Sequence, residues 1–265
     1  MPEIDIAFSP CPNDTFIFHA MINNLINTHL TFVPFINEVE TLNKKAFNNT
    51  YSISKLSFHA YLLLKKQYEL LDSGAALGYG CGPLLVAGPA FKSLKNAKIA
   101  VPGIYTTAHL LLKLWNPEIR HIETTRFDNI LPGVSSGKYD AGVIIHEGRF
   151  IYPEHNCTKI VDLGEWWQEK TGLPIPLGCI AVRRDEATIS YKKDIESDIR
   201  DSVKYALKNR NASNEFVRYH AQEMDKQVID KHINLYVNDF TISLGELGMR
   251  AVRTLEEMAL CLKAL

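Results

Sequence analysis

The run Ala141-Gly142-Val143-Ile144-Ile145 carries no polar side chain on either face and stops abruptly at His146-Glu147. Five residues are too few for an independent helix, and its β-branched residues favour an extended chain. A strand that is apolar on both faces must be covered on both. That requirement calls for an α/β architecture, a mostly parallel sheet with helices packed on each side.

The rest of the chain alternates in the same way. Ile4, Ile6 and Phe8 share one face of a short strand, Pro10 and Pro12 break it, and Asn13 or Asp14 can cap a helix carrying Phe16, Ile17 and Ala20. Strands are expected over Leu30–Phe35, Ile53–Ser57 and Pro83–Ala87, and helices over Val39–Phe47 and Phe58–Lys66. A second α/β run starts at Lys98–Val101 and continues through a helix over Ala108–Trp115, a strand over Arg120–Glu123 and a helix over Phe127–Ser136. Pro176–Val182 is a further strand, and beyond Arg183 the pattern is helical, with Ile195, Ile199, Val203 and Ala206 on one face. No Pro- or Gly-rich tether interrupts the series. The expected organisation is two α/β lobes around a cleft, one built from residues 1–96 plus 185–265 and the other from 97–184.

Composition narrows the function. Lys plus Arg number 29 and Asp plus Glu 30 in 265 residues, so the net charge of -1 provides no basic field for a nucleic acid. No apolar run approaches the roughly 20 residues that span a bilayer. The start MPEIDIAFSP has neither a basic opening nor a long apolar stretch, and the five cysteines are scattered without a CxxC pair. A cytoplasmic protein with reduced, mostly packed thiols is expected. Its partner is expected to be a small-molecule substrate, with no nucleic acid or membrane involved. Nothing in the sequence sets an oligomeric state.

Four stretches could carry chemistry. Ser9-Pro10-Cys11-Pro12-Asn13-Asp14 lies where a strand gives way to a helix, so it is either a rigid capped turn or a ligand site at a helix N-terminus. Lys55-Leu56-Ser57 ends a strand, where Ser57 either caps the next helix or faces a cleft at the C-terminal edge of the sheet. Thr106-Thr107 opens a helix and can cap it or bind an anion. His146 stands at the end of the apolar strand, suited to proton transfer near neutral pH or to a plain interfacial hydrogen bond. A zinc site is disfavoured because no second histidine follows at the HExxH spacing, and no dinucleotide fingerprint, P-loop or GxSxG motif is present, so no cofactor is expected. Trp166-Trp167 with Pro174 and Pro176 reads as core or as an aromatic pocket.

Together SPCPNDTFIFHA, SISKLSFHAY, VPGIYTTAHLLL, AGVIIHEGRF and VDLGEWWQEKTGLPIPLG resemble the 1,4-dihydroxy-6-naphthoate synthase family of the futalosine route to menaquinone, over almost the whole chain. The resemblance implies a two-lobed fold like the type II periplasmic binding proteins. It implies a carbon–carbon lyase that releases 1,4-dihydroxy-6-naphthoate and a dihydroxyacetone fragment from cyclic dehypoxanthine futalosine. His146 is implied as the proton acceptor. Lys55, Leu56, Ser57, Thr106 and Thr107 are implied as substrate contacts, while Asn13, Asp14 and Arg149 lie in matching motifs with less defined roles. The rivals are a chorismate dehydratase of the same pathway, against which SPCPNDTF and IIHE speak, and a non-catalytic binding protein.

Overall fold

The computed structural model describes residues 2–221 and 225–265. Two mixed sheets organise it. The first contains β1 (Glu3–Phe8), β2 (Thr31–Ile36), β3 (Ile53–Ser57), β4 (Tyr68–Leu70), β5 (Ala76–Gly78) and β11 (Ile175–Arg183), in the order β2-β1-β3-β11-β4 with β5 also on β11. The second contains β6 (Leu84–Ala87), β7 (Ile99–Val101), β8 (Ile122–Thr124), β9 (Ala141–Ile144) and β10 (Thr158–Asp162), in the order β10-β6-β9-β7-β8. Helices α1 (Pro12–Ile22), α2 (Val39–Ala46) and α3 (Phe58–Leu63) follow strands of the first sheet, and α4 (Thr107–Trp115) follows β7 of the second. The helical C-terminal part packs mainly on the first sheet. Ile195, Ile199 and Val203 share one core with Ile6, Phe8 and Ile53.

β9 is the middle strand of the second sheet and every residue in it is buried, as its doubly apolar pattern requires. Its neighbours differ from a mostly parallel arrangement: β7 runs parallel to it, but β6 runs antiparallel.

The chain crosses between the sheets twice, through residues 79–83 and through residues 163–174. This corrects the expected lobe limits. β6 lies before residue 97 but belongs to the second sheet, and β11 lies before residue 185 but belongs to the first. An apolar run reads the same whichever sheet it joins, so the restart at Lys98 marks a strand and not the crossover. The two crossovers touch. A Cβ on Gly82 would stand 2.3 Å from the backbone of Gly164, so only glycine fits there. Leu163 donates its N–H to Pro83 O at 3.0 Å.

Three short strands escape the sequence reading. β4 and β5 have three residues each, and β10 is an edge strand with exposed polar positions. The helix expected over Phe127–Ser136 is a 3₁₀ turn, Phe127–Asn129, followed by an α-helix over Ile130–Ser135 that carries Pro132 near its start. Trp167 is fully buried and donates to Pro174 O at 3.1 Å, so the tryptophan pair belongs to the core and its edge.

Candidate active site

A cavity opens between the two sheets, at the C-terminal ends of β1 and β3 on one side and of β7 and β9 on the other. The first sheet contributes Ser9, Asn13, Asp14, Lys55 and Ser57, with Leu177 and Gly178 from β11. The second contributes Thr106, Thr107, Ile145 and His146, and Tyr236 closes the wall from helix Lys226–Tyr236.

On the first side the polar groups hold one another. The N-cap of α1 is Cys11, not Asn13 or Asp14, because Pro12 occupies the first helical position. That places Asp14 in the first turn, where its carboxylate accepts from Lys55 Nζ at 2.6 Å and from Ser9 Oγ at 2.6 Å. Lys55 and Asp14 form an ion pair with side-chain exposures of only 6% and 1%. Asn13 Nδ2 donates at 2.9 Å to Asp14 Oδ1, the same oxygen that accepts from Lys55. Ser57 does not cap α3 with its side chain. Its N–H donates to Asn43 Oδ1 at 3.0 Å and its Oγ accepts from Asn43 Nδ2 at 3.1 Å. Asn43 also reaches Glu40, whose carboxylate accepts the N–H of Tyr105 from the loop before α4.

Leu56 is the correction within this stretch. Side chains alternate across a strand, so Lys55 and Ser57 face the cavity while Leu56 turns into the core at 0% exposure. Its side chain does not line the cavity.

On the second side the threonines answer to the backbone. Thr106 is the true cap of α4: its Oγ1 accepts from His109 N at 3.2 Å and donates to Gly103 O at 2.7 Å. Thr107 Oγ1 donates to Leu177 O of the first sheet at 2.7 Å and accepts His59 N at 3.3 Å. Both residues face the cavity, but both hydroxyls are already engaged within the protein.

His146 follows β9 by two residues with φ +55, a left-handed conformation that turns the chain sharply and lifts the imidazole off the sheet. Its ring meets Phe127 edge-on at 5.1 Å and lies nearly parallel to His232, 18° and 5.9 Å away. Part of its surface stays open, yet the surrounding protein strips enough water to push its pKa down to about 4, opposed by the Asp14 charge and assisted by Lys55. The imidazole is therefore uncharged at neutral pH and able to accept a proton.

Cys11 Sγ lies 3.6 Å from His146 Nε2. Burial, with Glu147 and Asp14 nearby, raises the thiol well above its usual range. Cys11 is thus a neutral neighbour of the imidazole and not a thiolate nucleophile. The spacing of these residues in the sequence gives no sign of this contact.

Arg149 stands elsewhere. Its guanidinium donates to Gly82 O at 2.7 Å and pairs with Asp162 at 2.5 Å, while Asp162 caps helix Leu163–Thr171. It braces both crossovers and does not line the cavity. His232, Tyr236, Leu177 and Asn43 belong to the site or its support, and no local signal in the sequence marks them. Among the described residues no group of three or more His, Cys, Asp and Glu side chains is arranged to hold a metal ion.

Known proteins share this arrangement of elements. The chain is 44% identical to a 1,4-dihydroxy-6-naphthoate synthase from Thermus thermophilus over 257 residues, 96% of this chain and 93% of that one. A crystal structure of an Archaeoglobus fulgidus protein superimposes with a TM-score of 0.94 at 36% identity, covering 99% of this chain and 98% of that one. The alkanesulfonate-binding protein of Xanthomonas axonopodis, solved with MOPS bound, matches with a TM-score of 0.71 at 13% identity, over 100% of this chain and 94% of that one, which makes the fold periplasmic-binding-protein-like. The profile of a family described as menaquinone biosynthesis matches residues 4–260, and the chain belongs to that family.

Proposed function

We propose that this protein is a carbon–carbon lyase of menaquinone biosynthesis that converts cyclic dehypoxanthine futalosine to 1,4-dihydroxy-6-naphthoate and a dihydroxyacetone fragment. The observation that carries the reading is His146, an uncharged imidazole delivered by a buried strand to a cavity between two sheets. Removal of a substrate proton by His146 starts the breakdown, and aromatisation of the naphthalene ring draws it forward. No hydride moves and no redox change is required.

A base with a pKa near 4 is fully available at neutral pH but weak. A substrate carboxylate entering the cavity supplies the missing strength, because a nearby negative charge favours the imidazolium. The wall of Lys55, Asp14 and Ser57 then acts as a preset polar frame, and closure of the sheets over the ligand keeps water from the reacting atoms.

The test is incubation of the purified protein with cyclic dehypoxanthine futalosine and mass spectrometry of the products. Both fragments are expected. Tight binding without turnover would establish a binding protein instead, a reading favoured by the likeness to the alkanesulfonate-binding fold. Loss of water from chorismate-type substrates in a parallel incubation would point to the dehydratase.

A further inference from the structure

The helix Lys226–Tyr236 brings a second histidine to the proposed base. His232 is 1% exposed, and its ring lies nearly parallel to that of His146. We propose that His232 is a positioning residue for His146: it backs one face of the imidazole as a rigid, permanently neutral plate. The inference rests on His146 acting as the base.

The hydrogen bonds around His232 determine its state. The Asp14 carboxylate, held by Lys55, can only accept. Asn13 must therefore turn its NH₂ toward Asp14, 2.9 Å away, and its carbonyl toward His232 Nε2, also 2.9 Å away. An amide carbonyl accepts only, so His232 carries its proton on Nε2 and leaves Nδ1 bare. Nδ1 is buried and has no hydrogen-bond partner among the described residues. A second proton there would find no acceptor among the described residues, and burial next to His146 and Lys55 disfavours the charged ring. His232 thus presents an uncharged face, which does not oppose a proton arriving on His146.

The need for a backing plate follows from the turn. His146 has a left-handed backbone, and its ring is held by Phe127 edge-on, by the Cys11 thiol and by the His232 face. The titratable groups around it are Cys11 and Asp14 from α1, Lys55 from β3, Glu147 beside it, and Tyr236 one turn beyond His232. Of the two rings beside the imidazole, Phe127 meets it edge-on and His232 lies nearly parallel to it, with centroids 5.9 Å apart.

The test uses ¹⁵N-histidine spectra of the whole protein from about pH 3 to 9, with His146→Asn identifying the His146 signals. Wild-type His232 is expected as the Nε2–H form, uncharged across that range. His232→Gln keeps a donor for Asn13 but removes the plate, and it should raise the His146 midpoint by about one pH unit as water reaches the ring. With substrate, kcat should fall roughly tenfold or more while KM stays within about threefold. His232→Phe restores the plate and should return the midpoint and most of kcat. A protonated or Nδ1–H His232 in the wild type overturns the proposal without any variant. So does a folded His232→Gln protein with unchanged His146 midpoint and kcat, or a His232→Phe protein as impaired as His232→Gln. If the wild type turns over no futalosine derivative, the proposed reaction fails, and the His146 midpoints still decide the role of His232.

Discussion

The two walls of the cavity are built on different principles. On the first sheet, Asp14 is tied to Asn13 and Lys55, and Ser57 separately to Asn43, by side-chain hydrogen bonds of 2.6 to 3.1 Å. On the second, the threonines are bound to backbone groups, and His146 rests on ring contacts and one sulfur contact of 3.6 Å. The first wall is a fixed polar frame whose members cannot move singly. The second wall leaves the proposed base, His146, in a recess that a ligand can reach. In the proposed mechanism this separates binding from chemistry, and substitutions on the two sides should fail in different ways.

The sharpest break in that comparison is His146→Asn. Turnover should fall by about 10²–10⁴-fold, the usual contribution of a general base, while substrate binding and folding persist. In the wild type the kcat/KM profile, which reports the free enzyme, should stay level from neutral pH down toward 4 and drop below it, because only the charged ring is inactive. Stability follows the same group. The folded His146 binds its proton less readily than the ordinary value of 6.5, so the unfolded chain takes up protons first as the pH falls. Stability is therefore lost between about 6.5 and about 4, and His146→Asn should flatten that slope in urea titrations at stepped pH. Near-normal turnover in the folded variant would remove His146 from the mechanism.

Lys55→Met attacks the opposite wall and should fail as a fold. It leaves the buried Asp14 carboxylate without its counter-charge, at a cost of about 3–5 kcal/mol, read as a lower denaturation midpoint. Pairing it with Asp14→Leu should recover much of that stability, since an apolar pair replaces an ion pair at little cost. The double variant should remain inactive. A single variant as stable as wild type would show that the frame is not interlocked.

The sequence displays these two walls unequally. β9 and His146 are legible together, because a doubly apolar run that ends in a polar residue specifies both a buried strand and what it delivers. The alternation along Ile53–Ser57 separates Leu56 from Lys55 and Ser57, but a family motif treats the three as one block. Arg149 lies three residues from His146, and only the crossover at Gly82 and Asp162 reveals that it braces the fold. His232 and Asn13 are 219 residues apart and meet only through packing of the C-terminal helices on the first sheet. The same limit hides which sheet β6 and β11 join.

Thr107→Val sharpens the comparison on the side where the two walls meet. From the sequence, this hydroxyl is expected to bind substrate, and its removal to weaken affinity. In the structure it joins Leu177 O of the first sheet to His59 N. Valine matches threonine in shape but leaves that buried N–H and carbonyl unpaired, so the loss should appear as about 1–3 kcal/mol of stability. Substrate dissociation constants measured by calorimetry should change little. A pure loss of affinity would return Thr107 to the list of direct contacts.

Ser57→Ala should produce the smallest effect and the opposite division. Ser57 Oγ accepts from Asn43 Nδ2, a use that occupies the oxygen but leaves the hydroxyl proton to be donated into the cavity. Alanine removes that donor, while Asn43 keeps its bond to the Ser57 N–H and its bond to Glu40. The frame should therefore survive with a stability loss near the low end of about 0.5–1.5 kcal/mol. Affinity should fall by a comparable amount, roughly two- to tenfold, if the proton meets a substrate oxygen. Measuring both quantities on Ser57→Ala and Thr107→Val separates a hydroxyl offered to the ligand from one spent on holding the sheets together. Equal affinity losses in the two variants would mean that the walls do not differ as their hydrogen bonds imply.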